Sequence, residues 1–278
     1  MGLSVMWIEF AGGVGAGKSS LASALRQRLD RAGVSTFSPQ EAFQRYTAQA
    51  FPLGFQSPEL REDRTIHFTR WALLHAMLAV GQARFSMKHP GLIQQVIASA
   101  DARRSLPRWH QKIILALFFR VAGWYEYLSP RPVPGEVVVV EEGLVHRAVN
   151  LFAWEPGMLD QQQIRRYLER LPPVPLTVVV RAPVDVCLDR TSRRGLPIRL
   201  QGKSPFEIRR FIEHSDAIAA QMGPVLQARR QPIIEITNIG MLDQSIAELM
   251  DQVMANYPAI SPFLHDLRTE SRTKDRSV

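Results

Sequence analysis

The spacing of apolar positions changes along the chain, and each change predicts an element. Residues 4–10 are mostly apolar, as in a strand covered on both faces, and Leu21, Leu25 and Leu29 then recur every four positions on one helical face. Gly33 ends that helix, 34–37 reads as a short second strand, and Pro39 closes it. From 57 to 128 the pattern is helical nearly throughout. Ser57-Pro58 marks the start of a helix running to about 88. One of its faces carries Ile66, Leu73, Met77 and Val80, and a neighbouring face Phe68, Trp71, Leu74 and Leu78, so burial around much of its girth is expected. Pro90-Gly91 breaks it. Further helices are predicted over about 92–104 and 108–128, before the stiff connector 130–135.

Val137 to Val140 are four valines in a row, which suits a central parallel strand. Helical sequence follows, with a helix over 160–170. A fourth strand at 176–180, a helix to 194, a long helix over 206–230, a fifth strand at 233–236 and a closing helix over 245–256 complete the series. Strands alternating with helices predict a three-layer α/β domain around a five-stranded parallel sheet, with 57–135 as a helical elaboration inserted before the third strand. That domain is expected to span 1–257. The polar, aperiodic stretch 258–278 reads as a loose tail.

Composition narrows the function classes. A hydrophobic fraction of 46% supports a sizeable core, and the formal charge of +8 favours anionic partners, which nucleotides satisfy as well as nucleic acid. The basic residues are scattered, with no long Lys/Arg block and no RNA-binding aromatic motif, so no nucleic-acid partner is expected. Cys187 is alone and sits in an apolar-periodic stretch, which suits a reducing compartment and a place in the core. The apolar run 113–119 is far short of the ~20 residues that span a bilayer. No signal peptide or myristoylation pattern is present in this sequence, and a cytoplasmic protein without membrane contact is expected.

The candidate chemistry begins at Gly12-Gly13-Val14-Gly15-Ala16-Gly17-Lys18-Ser19-Ser20. This is G-x-x-x-x-G-K-S between a strand and a helix, the phosphate-binding loop in the context it requires. Its glycines let successive backbone N–H groups turn toward phosphate oxygens, and the helix N-terminus adds donors and partial positive charge. Lys18 is placed to reach the β- and γ-phosphates of ATP, and Ser19 to ligate Mg²⁺. Lys18 reads as an exposed charge that the fold does not need. Glu141-Glu142 ends the valine strand, where an acid can hold Mg²⁺ or its waters. Either could serve, and Glu141 is taken with Ser19 as the metal pair because it lies nearer the regular strand. Arg147, after His146, could clamp an acceptor phosphate. Arg190, Arg193, Arg194, Arg199 and Lys203 flank Gly195-Leu196-Pro197, and about 190–205 reads as a lid that brings guanidinium groups to the transferring phosphoryl. Glu41, at the carboxyl edge of the second strand, and Arg64, Arg70 and Trp71 are weaker candidates for an acceptor pocket, Trp71 reading more simply as core. His67 and His75 lack the spacing of a zinc pair.

The loop and the segment from Asp185 to Gly195, where arginines precede a glycine, resemble the thymidylate kinase and nucleoside-kinase branch of P-loop kinases. The resemblance covers about 3–41 and 137–255 and implies that Arg190 and Arg194 act at the triphosphate. That family's central strand ends in Asp-Arg, where Glu141-Glu142-Gly143 stands here, and its Arg-Glu-Pro after the second strand is missing. The expectation is an ATP- and Mg²⁺-dependent kinase, with Lys18, Glu141, Glu142, Arg147, Arg190 and Arg194 at the chemistry and a small nucleotide-like molecule as acceptor. A hydroxyl acceptor such as a nucleoside or sugar, or a P-loop ATPase that drives a partner, stay open, as does a homodimer. No Asn-Lys-x-Asp stretch points to GTP; Thr237-Asn238-Ile239-Gly240 is not one.

Overall fold

The computed structural model describes residues 6–51, 64–102, 106–130, 136–154, 157–240 and 242–256. Five strands, β1 (Met6–Gly12), β2 (Ser35–Phe37), β3 (Glu136–Val140), β4 (Leu176–Arg181) and β5 (Ile233–Thr237), form one parallel sheet in the order β2-β3-β1-β4-β5. Burial follows position in the sheet. β1, β3 and β4 have neighbours on both sides and are buried almost without break, whereas β5 at the edge alternates buried and exposed residues.

The strands are linked by α1 (Lys18–Arg31), α2 (Pro39–Ala50), α3 (Arg64–Lys88), α4 (Pro90–Asp101), α5 (Arg108–Leu128), α6 (Arg147–Phe152), α7 (Gln161–Arg170), α8 (Val184–Arg194), α9 (Pro205–Ala228) and α10 (Leu242–Asn256). Leu21, Leu25 and Leu29 bury the periodic face of α1, which packs on β1, β3 and α10. α9 crosses β1, β4 and β5 with α6, α7 and α8 beside it. The insertion before β3 is helical, as the pattern predicts.

Two expectations are corrected. Pro39 closes β2 but also opens α2, because Ser38 and Glu41 form a reciprocal capping box around its first turn. α3 is also only half-buried. It packs along α5, where a Cβ on Gly81 would stand 2.5 Å from the Gly123 carbonyl oxygen, so the two helices meet backbone to backbone. Its other side leaves Phe68, Val80 and Met87 in solvent, and Trp71, expected in the core, is 56% exposed against His75. The predicted helix start at 57, and the tail beyond 256, lie outside the described residues, as do the side chains of Arg64 and His67.

Candidate active site

The glycine loop sits at the carboxyl end of β1, the innermost strand, and its conformation is one that side chains resist. Gly15 and Gly17 have φ of 80° and 96°. A Cβ on Gly15 would enter the Cys187 backbone, and one on Gly17 would enter the Asn238 amide. No side chain caps α1 and no acid lies in its first turn, so its first amides are open to an anion. Lys18 is not an exposed charge. It is buried, and its Nζ donates to the carbonyls of Gly12 at 3.1 Å and Gly13 at 2.8 Å. The lysine therefore ties the loop back onto its own strand.

A cavity of about 350 Å³ opens over this loop, lined by Val14, Gly15, Gly17, Lys18, Ser19 and Ser20 together with Glu142, Arg190, Arg194 and Pro197. Three regions the sequence singled out separately thus meet in one place. Arg190 is steadied by the backbone oxygen of Asn238 at 3.1 Å, and Asn238 in turn donates its Nδ2 to the Ala16 carbonyl at 2.8 Å. Asn238 follows the fifth strand beside the loop and was missed as a site residue, since nothing local marks an asparagine that works across 222 positions. Arg194 closes α8 just before Gly195, while Arg193 turns to Asp189.

A second cavity, of about 300 Å³, lies on the other side of Glu142. Leu117, Val121 and Trp124 of α5 give it an apolar wall, and Arg26, Arg120, Arg147, Glu141 and Glu142 supply charge. Glu142 lines both cavities; Glu141 lines only the second. Of the two glutamates proposed for the metal, Glu142 and not Glu141 lines the cavity that Ser19 lines. Glu41 is not in this wall. Its carboxylate accepts from the Ser38 amide and from Arg26 at 2.9 Å, and those contacts hold its pKa below the usual range. Arg70 and Trp71 also stand apart from it.

The charges around Glu142 are tightly arranged. Its Oε1 is 3.4 Å from His146 Nε2, and its Oε2 is 3.6 Å from Arg147 Nη1. Arg147 also donates to the Glu142 backbone carbonyl at 2.6 Å. Burial works to raise the Glu142 pKa, but His146, Arg147 and Lys18 outweigh it, so the carboxylate stays ionised. His146 is fully enclosed, and burial pushes its pKa down to about 4, which leaves the ring neutral at pH 7. Among the described residues no cluster of three or more His, Cys, Asp or Glu could enclose a metal ion. One hydroxyl and one carboxylate facing a phosphate cradle fit Mg²⁺, which keeps most of its waters and takes phosphate oxygens.

No protein-family model matches the chain, and no curated protein sequence does. Among solved structures it is similar to deoxyadenosine kinase from M. mycoides. The form with bound dATP is 12% identical with a TM-score of 0.45, over 89% of this chain and 99% of that one. The form with bound dCTP is 12% identical with a TM-score of 0.43, over 90% and 100%. A likeness this distant leaves the chemistry to be read from the residues themselves.

Proposed function

We propose that the protein is an ATP- and Mg²⁺-dependent phosphotransferase that moves the γ-phosphoryl group from the loop cavity to a small nucleotide-like acceptor in the second cavity. The observation that carries this reading is the sharing of Glu142 between the two cavities. A donor site and an acceptor site meet at one ionised carboxylate, whereas an ATPase needs only the first.

In this reading the amides of the loop and of the first turn of α1 bind the β- and γ-phosphates. Lys18 leaves the Gly12 and Gly13 carbonyls for phosphate oxygens. Ser19 and Glu142 hold Mg²⁺, which when bound offsets charge on the phosphate oxygens. Arg190 and Arg194 meet the charge that spreads over the transferring group, and Pro197 and its neighbours exclude water. Arg26, Arg120 and Arg147 suit an acceptor that already carries negative charge, and Trp124 gives a face on which a planar base can stack. A hydroxyl acceptor is the second reading, favoured by the carboxylate of Glu141 at the cavity wall. Glu142 is a poor proton acceptor, because a carboxylate held so firmly ionised has little affinity for a proton.

The test is product analysis after a single turnover with ATP and Mg²⁺, against thymidylate, other nucleoside monophosphates, nucleosides and sugars. Label transferred to a monophosphate supports the reading, label on a nucleoside or sugar supports the second, and inorganic phosphate alone under every condition rules out both.

A further inference from the structure

Glu9 lies in the middle of the central strand with none of its surface exposed, among valines. A carboxyl there costs several kcal/mol unless it is hydrogen-bonded, so its surroundings should explain its presence. Glu9 pairs in register with Val140, the last residue of β3. It stands beside the point where the chain leaves the sheet to form the turn from Glu141 to His146. The His146 amide donates to Glu9 Oε1 at 3.0 Å, and the amides of Val145 and Leu144 also favour its ionised form. Gly143 has no room for a side chain, because a Cβ would run into this same carboxyl. Buried Tyr167 donates its hydroxyl to the Leu144 carbonyl at 2.7 Å. The turn is thus gripped at both its amides and its carbonyl, and Glu142 and Arg147 flank the gripped residues 143–146.

We infer that Glu9 is a positioning residue: its side-chain oxygen fixes the turn after β3 and so aims Glu142 at the phosphate cradle and Arg147 at the second cavity. The inference rests on the proposed phosphotransfer. The role is assigned to the acceptor oxygen Oε1, which holds the His146 amide; Oε2 has no hydrogen-bond partner among the described residues. Glu9→Gln keeps that oxygen, and Glu9→Met fills the same volume without it.

The test compares ATP turnover, ATP affinity and melting temperature in the two variants of the full chain. Glu9→Met should lower kcat by roughly 10- to 100-fold while the KM for ATP moves less than about threefold, because the loop amides and Lys18 are untouched. Its melting temperature should stay near wild type, since an apolar replacement relieves a buried polar group as it frees the turn. Glu9→Gln should stay within about threefold of the wild-type kcat. Tyr167→Phe should show the same split between kcat and KM, more weakly. The inference is overturned if Glu9→Met turns over at the wild-type rate, if its activity falls only in step with the folded fraction, or if Glu9→Gln is as impaired as Glu9→Met. A wild-type protein that transfers no phosphoryl group would instead defeat the reading of the site, and hydrogen exchange would still decide this one. Faster exchange of the 144–146 amides in Glu9→Met with unchanged exchange in 12–20 would support it, and equal protection would refute it.

Discussion

At the scale of single residues, Lys18 has two tasks. Its Nζ donates to the Gly12 and Gly13 carbonyls, and in the proposed reading it turns to phosphate when ATP binds. Lys18→Ala should therefore lower turnover by at least about 100-fold, the scale of losing a preorganised charge at a developing anion. It should also cost about 1 kcal/mol of stability for the lost hydrogen bonds, read as a small fall in melting temperature. Unchanged turnover would remove the lysine from the mechanism. The two glutamates should separate cleanly. Glu142→Gln is expected to cost roughly 100-fold or more in kcat and to weaken the Mg²⁺ dependence. Glu141→Gln, which faces only the acceptor side, should act on the KM of the acceptor. Equal kcat losses in both would contradict the placement of Glu142 between the cavities.

At the scale of elements, the insertion before β3 is held by the backbone approach of α3 to α5. Gly81→Val would push a branched side chain into the Gly123 carbonyl and force the helices apart. Overpacking of this kind costs about 1–3 kcal/mol. α5 carries Leu117, Arg120, Val121 and Trp124 into the second cavity. The expected result is a lower melting temperature and a raised acceptor KM, with ATP affinity unchanged, as measured by titration with a fluorescent ATP analogue. A matching loss of ATP affinity would show that the insertion supports the cradle as well. The glycine loop and the arginines that line its cavity were legible in the sequence because their information is local: glycines beside a Lys-Ser, and arginines ahead of a glycine. Trp124, Arg120 and Asn238 were not, because each depends on which distant segment the sheet brings opposite. Trp71 and the apolar faces of α3 misled for the same reason, since periodicity marks a helix without saying whether a partner covers each face.

At the scale of the whole molecule, two buried groups should set the pH dependence of stability. Burial raises Glu9 from 4.5 to about 7, against the amides that lower it. Between those values the folded state holds more protons than the unfolded one, so this stabilisation is complete below about 4.5 and is lost as pH rises through 7. His146 runs the other way. Burial lowers it from 6.5 to about 4, so the unfolded state holds more protons in that interval and stability falls as pH drops from 6.5. From about 4.5 to 6.5 the two slopes oppose each other. Glu9→Gln removes one of them, and its stability should then fall more steeply than wild type on acidification, by about 3 kcal/mol at most across the interval. Urea midpoints taken at several pH values check this, and parallel profiles for the two proteins would refute it.

The order of elements, the all-parallel sheet, the helical insertion and the glycine loop were determined by the sequence alone, because periodicity, glycine placement and strand hydrophobicity act within a few residues. Only the tertiary structure decided which glutamate faces the loop, and that an acid within a central strand holds the turn opposite. Those outcomes depend on register between strands far apart in the chain, and a shift of one position reverses the face on which every side chain lies.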